Sequence, residues 1–313
     1  MTHFVRSIGA LQAPFLLLCG CLAFGGRLAV AATDDVKHST NFSIATGVQY
    51  DSKLSVPELE AVVDKSDYAT LIEGNGRYEA KFGNSELGVS YDFFQRIQFD
   101  YSQFDLQIHN VSARFAHNIG QVTASLAGNY VYSELDDQSY LTMKRITPAL
   151  SGFVSRHVFA RAALDVSEKD FDAAPPKDAD VLSPSLRLYY FFNNFQTHVY
   201  GAYRYEDEDA ADSRFSYDSH RIRLGLSHKF DIFKKEARLR IESGFETIEY
   251  KGITPLIGTE RDEENITFNA RLEIPITSTI YTQFEYQYLD KSSNVDYLDY
   301  NQFTADFKIG ARF

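Results

Sequence analysis

Tryptophan is absent from this 313-residue chain, and cysteine and methionine occur only twice each. Both cysteines, Cys19 and Cys21, fall in an N-terminal segment that reads as a removable leader. Once that leader is gone, no disulfide and no cysteine-ligated metal can hold the remainder together. Long apolar runs are missing too: no stretch of about 18 apolar residues follows residue 32, which excludes a membrane-spanning helix in the body of the chain. Positive charge is in short supply, with 31 Lys and Arg against 43 Asp and Glu, a net charge of −12. Such a balance argues against nucleic acid as a partner, because polyphosphate binding is driven by clustered cations.

The leader itself is well formed. "MTHFVRSIGALQAPFLLLCGCLAFGGRLAVAA" has a basic start at Arg6, an apolar stretch from about Ile8 to Phe24, and the small-x-small ending Ala29, Val30, Ala31. This layout predicts a secretory signal peptide over residues 1–31. A lipoprotein-type processing site at Cys21 is the alternative, because Leu18, Cys19, Gly20 and Cys21 loosely resemble an acylation box. Residues 32–39 are expected to form a short periplasmic lead-in, and residues 40–313 the folded body.

What the chain has in quantity is aromatic residues, 25 Phe and 20 Tyr, and in the body they are arranged in alternation. The chain ends on "YNQFTADFKIGARF", where Phe303, Ala305, Phe307, Ile309, Ala311 and Phe313 alternate with Gln302, Thr304, Asp306, Lys308 and Arg312. A period of two gives a β-strand one apolar and one polar face. The same pattern recurs in segments near 40–50, 69–82, 86–96, 104–116, 121–133, 140–154, 158–167, 181–192, 196–206, 217–230, 236–249, 264–274, 279–289 and 300–313. Short connections alternate with longer polar ones, expected near 51–66, 97–103, 134–139, 168–180, 207–216, 250–263 and 290–299. Half-apolar hairpins with no second layer to cover them call for lipid on one side and closure of the sheet on itself. The reading is therefore all-β: a transmembrane antiparallel up-and-down β-barrel of about 14 strands, with the last strand paired to the first and both termini periplasmic. Lacking tryptophan, its interfacial girdle has to be built from Tyr and Phe.

If the apolar set faces lipid, the other set faces the lumen, and it is rich in arginine. Arg161, Arg187, Arg204, Arg221, Arg223, Arg238, Arg240 and Arg271 are the candidate lumen residues, with Arg187, Arg204, Arg223 and Arg240 at similar height on successive strands. Guanidinium groups grip carboxylates and phosphates through paired hydrogen bonds, and the inward Tyr189, Phe191, Tyr200 and Tyr281 offer faces on which sugar rings stack. A passive outer-membrane channel for small solutes, with anionic saccharides favoured, follows as the expectation. The competing reading of the same residues is a ladder of arginine–carboxylate pairs that stabilises the wall. "YEDEDAADS" and "SEKDFDAAPPKDAD" are expected to form an acidic outer rim against lipopolysaccharide, without the spacing of a calcium loop. No metal or cofactor is called for. Asp218, Ser219 and His220 form the one cluster suggestive of an enzyme, but neighbours on a strand point to opposite faces, so the chain reads as a non-enzyme.

The terminal strand, with Phe307, Ile309 and Phe313 on its apolar face, resembles the signal by which the outer-membrane assembly machinery recognises barrel proteins, and implies that machinery as a partner. "GVQYDSKLSV" and "SSNVDYLDYNQFTADFKIGARF" are similar to stretches of porins linked to exopolysaccharide loci and of the barrel portion of surface lipoprotein assembly modifiers. The first resemblance implies a channel. The second implies a barrel that assists export of a lipoprotein or polysaccharide with periplasmic partners, although residues 32–39 leave no room for the helical-repeat domain those modifiers carry.

Overall fold

A computed structural model describes residues 36–232 and 234–313. The expected signal peptide, the alternative processing site at Cys21 and most of the lead-in lie outside the described residues. Residues 37–313 form one unit. Its strands are β1 (Lys37–Asp51), β2 (Leu54–Val56), β3 (Ala61–Val63), β4 (Asp67–Phe82), β5 (Ser85–Gln98), β6 (Leu106–Ile119), β7 (Val122–Leu135) and β8 (Gln138–Phe153). They continue with β9 (Val158–Phe171), β10 (Ala179–Phe192), β11 (Thr197–Ala210), β12 (Tyr217–Ile232), β13 (Lys235–Thr254), β14 (Thr259–Pro275), β15 (Ile280–Ser293) and β16 (Tyr300–Arg312).

Fourteen of these strands close into a barrel, each antiparallel to its sequence neighbour, while β2 and β3 form a separate two-stranded hairpin. The seam joins the two ends of the chain: Ile44 lies opposite Ala311 and Val48 opposite Phe307. The terminal Phe313 is hydrogen-bonded into it, exchanging backbone bonds of 3.1 and 2.9 Å with Phe42. Closure leaves no edge of the barrel sheet unpaired, which is the condition for a sheet to sit in hydrocarbon. The strand begins at Lys37, so residues 37–39, expected in the lead-in, are already part of the wall.

Alternation does what the sequence implies. In β10, Leu182, Leu186, Leu188 and Tyr190 are exposed on the outside, while Val181 and Ser183 on either side of Leu182 are buried. Phe307, Ile309 and Phe313 also lie on the outer face. Around the barrel, outward histidines bond to outward tyrosines on the next strand: His38 to Tyr78 at 2.7 Å, His109 to Tyr91 at 2.7 Å, and His220 to Tyr203 at 2.8 Å. Rings with a polar tip suit a membrane–water boundary, and here Tyr and His fill the place tryptophan leaves vacant.

Where the structure departs from expectation is beyond the apolar belt. The connections expected over 134–139 and 250–263 are mostly strand and that over 207–216 partly so, leaving only residues 136–137, 211–216 and 255–258 outside the ladder. Above the membrane both faces of a hairpin are wetted, so the two-residue period fades although backbone pairing continues. Glu206 and Glu208, expected in an exposed acidic rim, belong to β11 and point inward. Glu206 accepts hydrogen bonds from Ser183 (2.9 Å) and Tyr217 (2.8 Å), and Glu208 from Lys169 (2.5 Å).

Candidate functional site: the arginine-lined lumen

The lumen contains a cavity of about 1280 Å³. Six of the eight candidate arginines line it, namely Arg187, Arg221, Arg223, Arg238, Arg240 and Arg271. Arg161 and Arg204 line a smaller adjoining cavity of about 220 Å³, which they share with Arg187, Arg221 and Arg223. The strand pattern thus brought together the set it picked out. Nine basic side chains (Arg96, Lys229 and Lys308 with the six arginines) face five acidic ones (Glu73, Glu242, Glu246, Glu285 and Asp306) across the larger space. The lumen is therefore cationic inside a chain whose net charge is −12.

Pairing among these residues is uneven. Arg271 donates to both carboxylate oxygens of Glu285 at 3.0 and 2.7 Å, and Arg221 to Glu246 at 2.7 and 2.8 Å. Arg204 bonds Asp165, Arg223 reaches Glu242 only at 3.5 Å, and Arg238 reaches Glu236 only at 3.9 Å. Among the described residues, Arg161, Arg187 and Arg240 have no carboxylate at salt-bridge distance. Register sharpens the point. Arg161 lies directly opposite Arg187, Arg204 opposite Arg221, and Arg240 opposite Arg271. Like charges opposite one another across a ladder destabilise it; carboxylates on Arg204, Arg221 and Arg271 offset this in two of the pairs, whereas neither Arg161 nor Arg187 has one, so stability does not account for that pair.

Beside the arginines stands an aromatic wall. Tyr189 packs 5.4 Å from Tyr200 and 6.1 Å from Phe191, and Phe191 lies 5.2 Å from both His198 and Phe195. Tyr200 lies over Gly225 on the neighbouring strand, where a Cβ would run into its ring. Arg187 donates to the Tyr189 hydroxyl at 3.1 Å and sits 5.5 Å from the Tyr200 ring centre. Tyr281 is also inward, over Gly310, with Arg312 at 4.1 Å from its ring centre.

Pattern reading missed the lid on this space. Residues 52–66, part of the longer polar connection expected near 51–66, fold across the mouth at the long-loop end. Leu54 and Val56 are buried against Phe104, Tyr140 and Phe171. Glu60 accepts hydrogen bonds from Lys177 (2.9 Å) and Arg261 (2.8 Å). Lys177 sits in the β9–β10 connection, on the opposite side of the ring from β1, so the strap is pinned across the full width. Burial raises the Glu60 carboxyl, but the Lys177 and Arg261 cations overcome it and hold the group below its ordinary value. Ser55 and Pro57 of this strap roof the large cavity. The signal was present in "KLSVPELEAVV", whose apolar residues are too many for a loop with nothing to bury them against.

Ser219 is buried while His220 faces outward onto Tyr203, so the two do not share a site. Among the described residues no cluster of His, Cys, Asp and Glu has metal-binding geometry.

Closed, apolar outside and charged within, the fold is that of an outer-membrane β-barrel of the porin kind. No protein-family model matches the sequence, and no curated protein is a detectable sequence relative. Solved structures share the fold. An anion-selective porin from Comamonas acidovorans superposes with a TM-score of 0.50 at 9% identity, over 89% of this chain and 100% of its own. The loop-deleted outer membrane protein OmpT of Vibrio cholerae gives 0.48 at 10% identity, over 90% and 99%, and a bacterial polysaccharide outer membrane secretin 0.47 at 9%, over 88% and 98%.

Proposed function

We propose that the protein is an integral outer-membrane channel through which small solutes pass passively, with anions preferred and acidic saccharides the favoured class. Both termini and the short turns face the periplasm, and the long hairpins face outward among lipopolysaccharide. Phe313 and its apolar neighbours serve as the mark read by the barrel assembly machinery. The observation that carries the anion preference is the excess of basic over acidic side chains around the cavity, with Arg161, Arg187 and Arg240 free of carboxylate partners among the described residues. A low-dielectric wall around like charges focuses their field on the solute path. One solved barrel of this fold is named for anion selectivity, and the same chemistry is assigned here on this chain's own arginines.

The test is a planar-bilayer measurement across a salt gradient. The native channel is expected to give a reversal potential of anion-selective sign, and Arg187→Ala with Arg240→Ala to move it toward zero. A native channel without anion preference refutes the proposal. The second reading, a barrel that helps export a lipoprotein or polysaccharide with periplasmic partners, is favoured by one feature: the strap roofs the cavity at the outer end. Absence of conductance together with co-purification of a periplasmic partner would select it.

A further inference from the structure

Porin lumens are polar, so an aromatic wall inside one needs a reason. Phe191 and Phe195 gain nothing by facing water. Phe195 also sits in the turn between β10 and β11 with a φ of 64°, a left-handed backbone that a bulky side chain adopts only at a cost, and its ring closes the row 5.2 Å from Phe191. Register sets this row against the cations. Phe191 is paired with His198, His198 with Ser227, Ser227 with Arg240. One step further from the turns, Arg187 is paired with Ala202 and Ala202 with Arg223. Between Phe191 and Arg240 lie His198 and the small Ser227, and between Arg187 and Arg223 lies Ala202; the row in between carries Tyr200, laid over Gly225, whose hydroxyl donates to Glu242.

We infer that this end of the cavity is a binding site for an acidic sugar unit, with the pyranose face on Tyr189 and Phe191 and the carboxylate taken by Arg187 and Arg240. The assignment rests on the channel reading and deepens it. A simple anion needs guanidiniums alone; a neutral sugar needs rings alone. Only a ring bearing a carboxylate uses both, since apolar C–H faces stack on aromatic rings while guanidinium holds the charge in paired bonds. With Ser55 and Pro57 as its roof, the site fills from the short-turn side, which in the proposed orientation is the periplasm.

The experiment uses the full-length mature protein in detergent, titrated calorimetrically with trigalacturonate, maltotriose and sodium sulfate. Trigalacturonate is expected to bind at least tenfold more tightly than either of the others. Phe191→Ala should weaken trigalacturonate at least fivefold, and Phe191→Tyr should restore binding. Arg187→Ala with Arg240→Ala should weaken it at least tenfold. In oriented bilayers, trigalacturonate should block from the short-turn side only. Equal affinity for trigalacturonate and sulfate, or an unaffected Phe191→Ala, overturns the site and leaves the anion channel standing. Loss of anion preference in the native protein overturns the channel itself. Far-ultraviolet circular dichroism establishes that each variant retains the strand content of the native barrel.

Discussion

Two arcs of one wall put the same kinds of side chain to opposite use. Where β15, β16, β1 and β4 meet, a tight charge cluster forms: Lys308 lies 2.7 Å from Glu73, 3.5 Å from Glu285 and 3.8 Å from Asp306, and Gln49 donates to Asp306 at 2.8 Å. Lys308, Glu285 and Asp306 are each 5% exposed or less. Along β9 to β13 the arginines are only partly matched, and three of them have no carboxylate partner among the described residues. The first arc is a structural weld beside the seam where the chain closes on itself. The second is a charged surface left available. Buried ions need partners because desolvation is costly, whereas ions facing a wet lumen do not.

The largest effect that breaks this contrast comes from the weld. Lys308→Met removes the cation shared by three carboxylates, leaving Asp306 buried beside the charge of Glu285, which keeps Arg271 alone. Breaking a buried pair by deleting one partner costs about 3–5 kcal/mol. Denaturant unfolding in detergent should show that loss, and a midpoint unchanged from the native protein would mean that the carboxylates are solvated after all. Arg187→Ala, in the other arc, serves as the control.

Next in size is the strap. Its apolar tuck, Leu54 and Val56, contributes about 1.5–3 kcal/mol per side chain, and the Glu60 pins add to it. Glu60→Gln keeps the shape and removes the charge, so the roof should detach more often and single-channel conductance should rise. The pH dependence has a definite sign. A carboxyl whose folded value lies below the ordinary 4.5 stabilises the docked strap above 4.5, and that contribution is lost as pH falls through the lower folded value. Native conductance should therefore climb as pH falls below 4.5, while Glu60→Gln stays flat. A native channel insensitive to acid would show that Glu60 does not hold the roof.

How much of this was legible beforehand follows from the physics of each part. Fourteen membrane strands, the seam and the inward set were readable because hydrocarbon enforces a strict two-residue period. Charge pairing was not, since whether Arg271 meets Glu285 or Arg161 meets Arg187 depends on register between strands, which alternation leaves open. The hairpin ends beyond the belt, with Glu206 and Glu208, were invisible for lack of any period there. The strap needed a partner 117 residues away, Lys177, to become a roof.

The smallest effect on stability is the most discriminating. Arg161→Gln removes one member of the pair in which Arg161 faces Arg187, and neither has a carboxylate to leave stranded. Relief of like-charge repulsion across a ladder is worth at most about 0.5 kcal/mol in a wet lumen, so unfolding should be unchanged or shifted slightly upward. The reversal potential should nevertheless move toward zero, and more so at low salt, where screening is weak. A substitution that leaves the fold alone and changes what passes through it separates an arginine kept for solutes from one kept for the wall. Should Arg161→Gln instead destabilise the barrel as Lys308→Met does, the two arcs would be one continuous charge ladder, and the available surface would vanish as a distinct feature.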